Sequence, residues 1–160
     1  MFFQNALDFL PILLSGAVVT VQVTIASFLL SSLIGLAFAL MMVSKVRAIA
    51  LFGITVVNII RGLPIIVQLF YIYFVLPEFG VQLSALQAGI IGLGIAYSAY
   101  QAENFRAGIQ AIQQGQIEAA ESIGMRGPMI MRRVILPQAF RIALPPYGNT
   151  LAVSYTHLTL

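Results

Sequence analysis

Long apolar runs separated by short polar breaks make up most of this chain. The first extends from about Gly16 to Val43, and its polar content is Gln22 and the small hydroxyls Thr20, Thr24, Ser27, Ser31 and Ser32. A second runs from about Ile49 to Leu76 and is interrupted at Arg61-Gly62-Leu63-Pro64. The third, about Ala85 to Asn104, carries Gly89, Gly92 and Gly94, read as one thin helix face; the fourth begins near Leu136, reaches at least Val153, and is broken by Pro137 and Pro145-Pro146. A helix needs about 20 apolar residues to cross a bilayer, so the pattern predicts an all-helical membrane domain with four spans. Small hydroxyls and glycines such as Gly35 allow such helices to approach closely.

Composition agrees with the pattern. The chain is 60% hydrophobic and 8% charged, with a mean hydropathy of +0.98, too little polar surface for a soluble domain. Its net charge of +3 matters through placement. Lys45 and Arg47 lie between the first two stretches, Glu78 alone in the Leu76–Gly80 turn, and Arg106, Arg126, Arg132 and Arg133 between the last two. The positive-inside rule puts the first and third connections in the cytoplasm, and the Glu78 turn and the N-terminus with Asp8 outside. Basic residues neither cluster on a solvated helix nor interleave with aromatics, which excludes nucleic acid as a partner. The absence of cysteine excludes disulfides and thiol catalysis. No basic residues precede the first run, which is too long for a cleavable signal, so it reads as a retained span.

The polar island from Phe105 to Met131 therefore faces the cytoplasm. Within it Ile109, Ile112, Gln116, Ala119, Ala120 and Ile123 fall near helical spacing, with Gln110, Gln113, Gln114, Glu118 and Glu121 mostly elsewhere. Gly115 is placed to open a short helix and Gly124 to end it in the left-handed conformation. Ala119 and Ala120 would give it a low-relief surface. The residues alone leave two readings: a connector lying on the membrane surface, or a surface offered to a soluble partner.

Four ordered motifs bear on that choice. They are Arg61-Gly62-Leu63-Pro64 with Gln68-Leu69-Phe70; Ala99-Tyr100-Gln101-Ala102-Glu103-Asn104-Phe105-Arg106-Ala107-Gly108; Gly115-Gln116-Ile117-Glu118-Ala119-Ala120; and Gly124 followed after nine residues by Val134-Ile135-Leu136-Pro137. This order resembles the polar amino acid subfamily of ABC-importer permeases, with Leu63 in place of Thr, Ala107 in place of Gly and Val134 in place of Ile. The resemblance implies a type I importer transmembrane domain over residues 1–153 in a prokaryotic cytoplasmic membrane. It also implies ABC ATPase subunits that dock on the Glu-Ala-Ala segment, an extracytoplasmic amino-acid-binding protein and a second permease subunit. In that frame Gly115, Glu118, Ala119, Ala120 and Gly124 form the coupling element: Glu118 caps or fixes the helix, Ala119 and Ala120 pack in the ATPase cleft, and Gly124 supplies the turn. No Gly-x-x-x-x-Gly-Lys-Ser/Thr phosphate loop is present, so ATP hydrolysis is expected in a separate subunit, and no cofactor or metal is expected here.

Arg61 and Glu103 are the ionisable residues deepest in the apolar stretches, and a charge in lipid needs a partner or a polar cavity. At 1.5 Å per residue, Arg61 would lie about 24 Å from Pro77 and Glu103 about 27 Å from Ala85, at similar depth on antiparallel neighbours. An Arg61–Glu103 pair is expected, either as a scaffold lock or beside a transport path that meets an amino acid's charged ends. Gln68, Tyr97, Tyr100 and Asn104 are further candidates for the path or for interhelical contacts, while Met41, Met42, Met125, Met129 and Met131 read as packing. No catalytic constellation appears. A membrane enzyme lacks its polar cluster, and a passive channel or scaffold subunit would leave the coupling motif unexplained. Finally, Val153 to Leu158 resembles a translated transposon-end library adapter. Residues 154–160 are therefore expected to be a foreign tail, with a fifth span missing by truncation.

Overall fold

In the computed structural model the backbone is described from Phe2 to Thr159 and side chains from Phe9 to Val153. Asp8 and the expected foreign tail from Ser154 onward fall outside the described side chains. The described residues are helical with short connections. In chain order the helices are α1 (Phe2–Met42), α2 (Arg47–Gly62), α3 (Ile65–Phe70), α4 (Ala85–Gln110), α5 (Gln114–Ser122), α6 (Gly127–Ile130) and α7 (Leu136–Thr159). A wide π turn, Tyr71–Val75, and a tight 3-10 turn, Leu76–Phe79, extend α3; a second π turn, Met131–Ile135, joins α6 to α7.

The hub is α4, which packs on α1, α2, α3 and α7. Its start is fixed by a reciprocal cap: the Gln87 amide donates to Ser84 Oγ at 3.3 Å, and the Ser84 amide donates to Gln87 Oε1 at 2.9 Å. Contact with α1 is close because small residues line it. A Cβ at Gly35 would lie 2.7 Å from Gln101 Cβ and 2.8 Å from the Ser98 carbonyl. Ser27, Ser31 and Ser98 are fully buried there, and each hydroxyl donates to a carbonyl of its own helix at 2.7–3.2 Å. None of their hydroxyls is left unpaired at the contact. The α4 glycines do not share one face: Gly92 abuts Leu69 and Ile72, whereas Gly94 abuts Leu30 and Gly89 faces Val23. The expected thin face is two faces, serving α3 and α1.

The second apolar stretch is not a straight span. Arg47–Gly62 and Ile65–Phe79 meet at 95°. Leu63 is extended (φ −97°, ψ 132°), the conformation forced on a residue before proline, and Pro64 supplies no amide to continue α2. By length and apolarity, Phe9–Met42 is the one described helix that qualifies by itself to cross a membrane, and the bent pair adds a second if counted as one. At about 39 Å and 36 Å, α4 and α7 are long enough by their rise, but polar residues dilute them. The third stretch runs past Asn104 to Gln110, and α7 starts at Leu136 as expected, with α6 and the π turn leading into it from Gly127. Nor do prolines break α7: it continues through Pro145 and Pro146. The π turn ends two residues before Pro137, and Gln138 Nε2 donates to the Val134 carbonyl there at 3.0 Å, a local adjustment of the kind that accommodates proline in apolar surroundings.

At the end of α4 a separate apolar cluster forms from Ile109, Ile112, Ala120, Ile130, Ile135 and Ala139, with Ile117, Met125 and Met131 packed against it. Met42 is buried as expected, but Met129 is 43% exposed and packs little. Gly35 and Gly16 separate packing from propensity. Gly35→Val should lower stability by about 1–3 kcal/mol through overpacking. Gly16→Ala, with nothing within 4 Å of its Cβ, should be neutral or gain up to about 1 kcal/mol. Thermal unfolding midpoints in detergent measure both.

Candidate functional site

Two regions carry chemistry: the short helix α5 at one end of the bundle, and a charged, polar zone where the α2/α3 break meets α4 and α7.

Helix α5 is preceded by extended Gln113 (φ −61°, ψ 135°). Gly115 lies inside its first turn, with the Gln116 amide already bonded to the Gln113 carbonyl at 3.0 Å. Gly115 therefore does not open the helix; the turn at Ala111–Gln113 does. Its other end closes at Gly124, where φ is +80°. The Gly124 amide reaches the Glu121 carbonyl at 2.9 Å and the Met125 amide reaches the Ala120 carbonyl at 3.1 Å, the paired bonds of a left-handed glycine terminus. Ala119 and Ala120 part company. Ala120 is 5% exposed in the apolar cluster with Ile109, Ile130 and Ile135, so it anchors α5 to the bundle, while Ala119 faces outward. Glu118 and Glu121 are exposed, and Ile123, expected on the apolar side, is 79% exposed. Among the described residues the Glu118 carboxylate takes no hydrogen bond or ion pair; its backbone carbonyl accepts from Ser122 Oγ at 2.8 Å. It does not cap the helix, whose first turn lies earlier.

In the second region Arg61 Nη1 donates to Glu103 Oε1 at 3.1 Å, with side chains 41% and 23% exposed. The 95° bend removes the equal-depth argument for this pair, because Arg61 is not on a straight helix leading to Pro77. What brings them together is the packing of α2 on α4, with the bend after Gly62 ending α2 where Arg61 meets Glu103. The other Glu103 oxygen is occupied as well: Arg106 Nε and Nη2 donate to Oε2 at 2.8 Å and 2.6 Å, and Arg106 Nη1 donates to Gln110 Oε1 at 2.8 Å. Glu103 thus sits between two guanidiniums. Arg106 could have been found from its spacing, three residues along the same helix. The Arg61 guanidinium also lies 5.6 Å from the centroid of the Tyr100 ring, within cation–π range.

The remaining candidates divide. Gln68 is not presented to a path: its Nε2 donates to the carbonyls of Ile60 at 2.9 Å and Leu63 at 3.0 Å. Asn104 Nδ2 joins α4 to α7, donating to Gln101 Oε1 and Thr150 Oγ1, both at 3.1 Å. Tyr100 lines a cavity of about 280 Å³ with Ile65, Tyr97, Asn149, Thr150 and Val153. The Tyr97 and Tyr100 rings are 6.3 Å apart and form its aromatic wall. Gln101, Asn149 and Thr150 were missed in the sequence. Gln101 is fully buried and its Nε2 has no partner among the described residues. Its spacing, between Tyr97 and Asn104 on α4, was the available signal.

An apolar helical bundle with a tyrosine-walled cavity at a helix break, and a short helix seated at one end, has the features of a membrane transport component. Comparison with known proteins specifies the class. A family described as binding-protein-dependent transport system inner membrane component matches residues 31–160. The probable amino-acid ABC transporter permease protein y4tG of Sinorhizobium fredii is 40% identical over 146 residues, covering 91% of this chain and 63% of that protein. The L-cystine transport system permease protein TcyB of Bacillus subtilis is 41% identical over 143 residues, covering 89% of this chain and 61% of that protein. The chain thus spans about six-tenths of the length of these curated relatives. Among solved structures, a crystal structure of an amino acid ABC transporter with histidines matches with TM-score 0.88 at 41% identity, over 98% of this chain and 73% of that one. The MetNI methionine ABC transporter in an inward-facing form shares the fold, with TM-score 0.79 at 24% identity, over 93% of this chain and 72% of that one. The chain belongs to the binding-protein-dependent transport system inner membrane component family, and its fold is that of a type I ABC importer transmembrane domain.

The shared carboxylate makes an asymmetric prediction. Glu103→Gln should destabilise more than Arg61→Gln, because it weakens the pairing of two guanidiniums rather than one. The Arg61–Glu103 coupling from a double-mutant cycle should be only about 1 kcal/mol, since Arg61 is 41% exposed. Chemical or thermal unfolding of the four variants in detergent measures it.

Proposed function

We propose that this chain is the permease subunit of an ATP-driven importer for polar amino acids, a multi-pass protein of the prokaryotic cytoplasmic membrane with its N-terminus outside. The observation that carries the reading is the seating of α5. Ala120 and Ile117 fix its inner side to the cluster at the end of α4 and the start of α7, while Glu118, Ala119, Glu121 and Ile123 face outward. A partner pressing on that outer face would move the bundle through a packed contact rather than a slack loop. An ABC ATPase supplies such a partner, and a passive channel has no use for one.

The transported solute passes, on this reading, beside the α2/α3 break and the cavity walled by Tyr97 and Tyr100. Arg61, Tyr100 and Asn104 stand nearest that route; Glu103 holds Arg61 in place, and Gln68 serves the backbone. A relative named for L-cystine and a related structure with histidines support the amino acid class. A second permease subunit and an extracytoplasmic binding protein complete the assembly, and ATP hydrolysis belongs to the separate subunit.

Reconstitution of the full-length protein with its ATPase and binding protein tests this. Uptake into proteoliposomes should require ATP. Ala119→Arg, on the outer face of α5, should cut both ATPase co-purification and uptake by at least roughly tenfold, the loss expected when a bulky charge enters a close-packed interface. Flux that persists without ATP, or is indifferent to Ala119→Arg, would favour a channel.

A further inference from the structure

The break between α2 and α3 leaves a specific gap. In an uninterrupted helix the Ile60 carbonyl would accept from the amide of residue 64, but Pro64 has none. The Leu63 amide reaches that carbonyl only at 3.4 Å. Gln68 takes over: one hydrogen of its Nε2 goes to the Ile60 carbonyl at 2.9 Å, the other to the Leu63 carbonyl at 3.0 Å. Its backbone amide meanwhile bonds the Pro64 carbonyl at 3.2 Å. One residue of α3 thus grips the chain before and after the break.

Arg61 lies between the gripped residues. It directly follows Ile60, and it reaches Glu103 Oε1 at 3.1 Å and the Tyr100 ring at 5.6 Å. Little else restrains the segment: Gly62 has no atom within 4 Å of a notional Cβ, and Leu63 and Pro64 are exposed. We propose that Gln68 is a positioning residue, whose side-chain amide replaces the N–H that Pro64 lacks and thereby holds the 95° bend that sets Arg61 against Glu103 and Tyr100. Its consequence for uptake rests on the importer reading above; its consequence for the bend does not.

The test uses the full-length transporter. Spin labels are placed through Leu51→Cys on α2 and Phe79→Cys beyond the break, both at exposed positions, in a transporter from which any other cysteine has been removed. Pulsed electron resonance then gives the distance across the bend, with no ATP or solute needed. Gln68→Leu and Gln68→Glu keep the size of the side chain but carry no N–H. Each should broaden or shift the distance, or fail to assemble, and should lower uptake by about tenfold, as expected when a bonded carbonyl is left unsatisfied. Gln68→Lys, which retains donors on a flexible stem, should restore the wild-type distance. An unchanged distance in Gln68→Leu overturns the proposal, as does a Gln68→Lys variant that is as defective as Gln68→Leu. Correct distances with uptake indifferent to ATP would count against the importer reading and leave the clamp standing.

Discussion

The approach of α1 to α4 at Gly35 is the constraint on which the rest of the bundle depends. A side chain there would enter Gln101 and the Ser98 carbonyl, so the two backbones meet at a separation that only glycine allows. Every other major element then attaches to α4: α2 through the Arg61–Glu103 pair and the buried Val57, α3 through Leu69 against Gly92, and α7 through Ala139 and Ala143 against Gly108. Because dispersion and hydrogen bonds replace the hydrophobic effect as the cohesive forces between helices in lipid, such close approach is a principal source of cohesion. The buried serines fit this logic, since each satisfies its hydroxyl within its own helix and leaves a smooth surface.

The end of α4 that carries Ile109 is built differently. Ile109, Ile112, Ile130 and Ile135 make an aliphatic seat, and α5 rests on it through one small and one branched side chain. A helix of nine residues would be marginal alone in water. Here packing, and the closed terminus at Gly124, keep it formed. The same seat includes Ile135, the last residue of the π turn, and Ala139 on α7, the helix that carries Asn149 and Thr150 to the cavity. Cavity and outer surface are thereby parts of one packed body.

Much of this was legible in the sequence, and the failures have physical causes. Gly124 announced its left-handed turn because a helix end followed by glycine has few alternatives. The pairing of Arg61 with Glu103 followed from the cost of isolated charge in an apolar segment, although the depth argument used to support it assumed a straight helix. Gly62 and Pro64 signalled a break but not its angle, which depends on what replaces the missing amide. Ala119 and Ala120 could not be told apart, since adjacent alanines on a helix differ only in which one meets the core. Likewise Gly89, Gly92 and Gly94 looked like one stripe, but at helical spacing they point to different neighbours.

The polar side chains illustrate the deeper reason. In a soluble protein Gln68, Asn104 and Gln101 could turn to water; among apolar helices each must find a protein partner or enclosed water. Sequence indicates that such a residue will be engaged, but not whether its partner is a solute, another side chain or a backbone carbonyl. Gln68 meets the carbonyls stranded by Pro64, and Asn104 meets Thr150 across a helix interface. Gln101 keeps one buried donor without a partner among the described residues. Geometry at the break decides these cases: a turn of 95° brings the Ile60 carbonyl under Gln68, whereas a straight helix would have carried Gln68 two turns away from it.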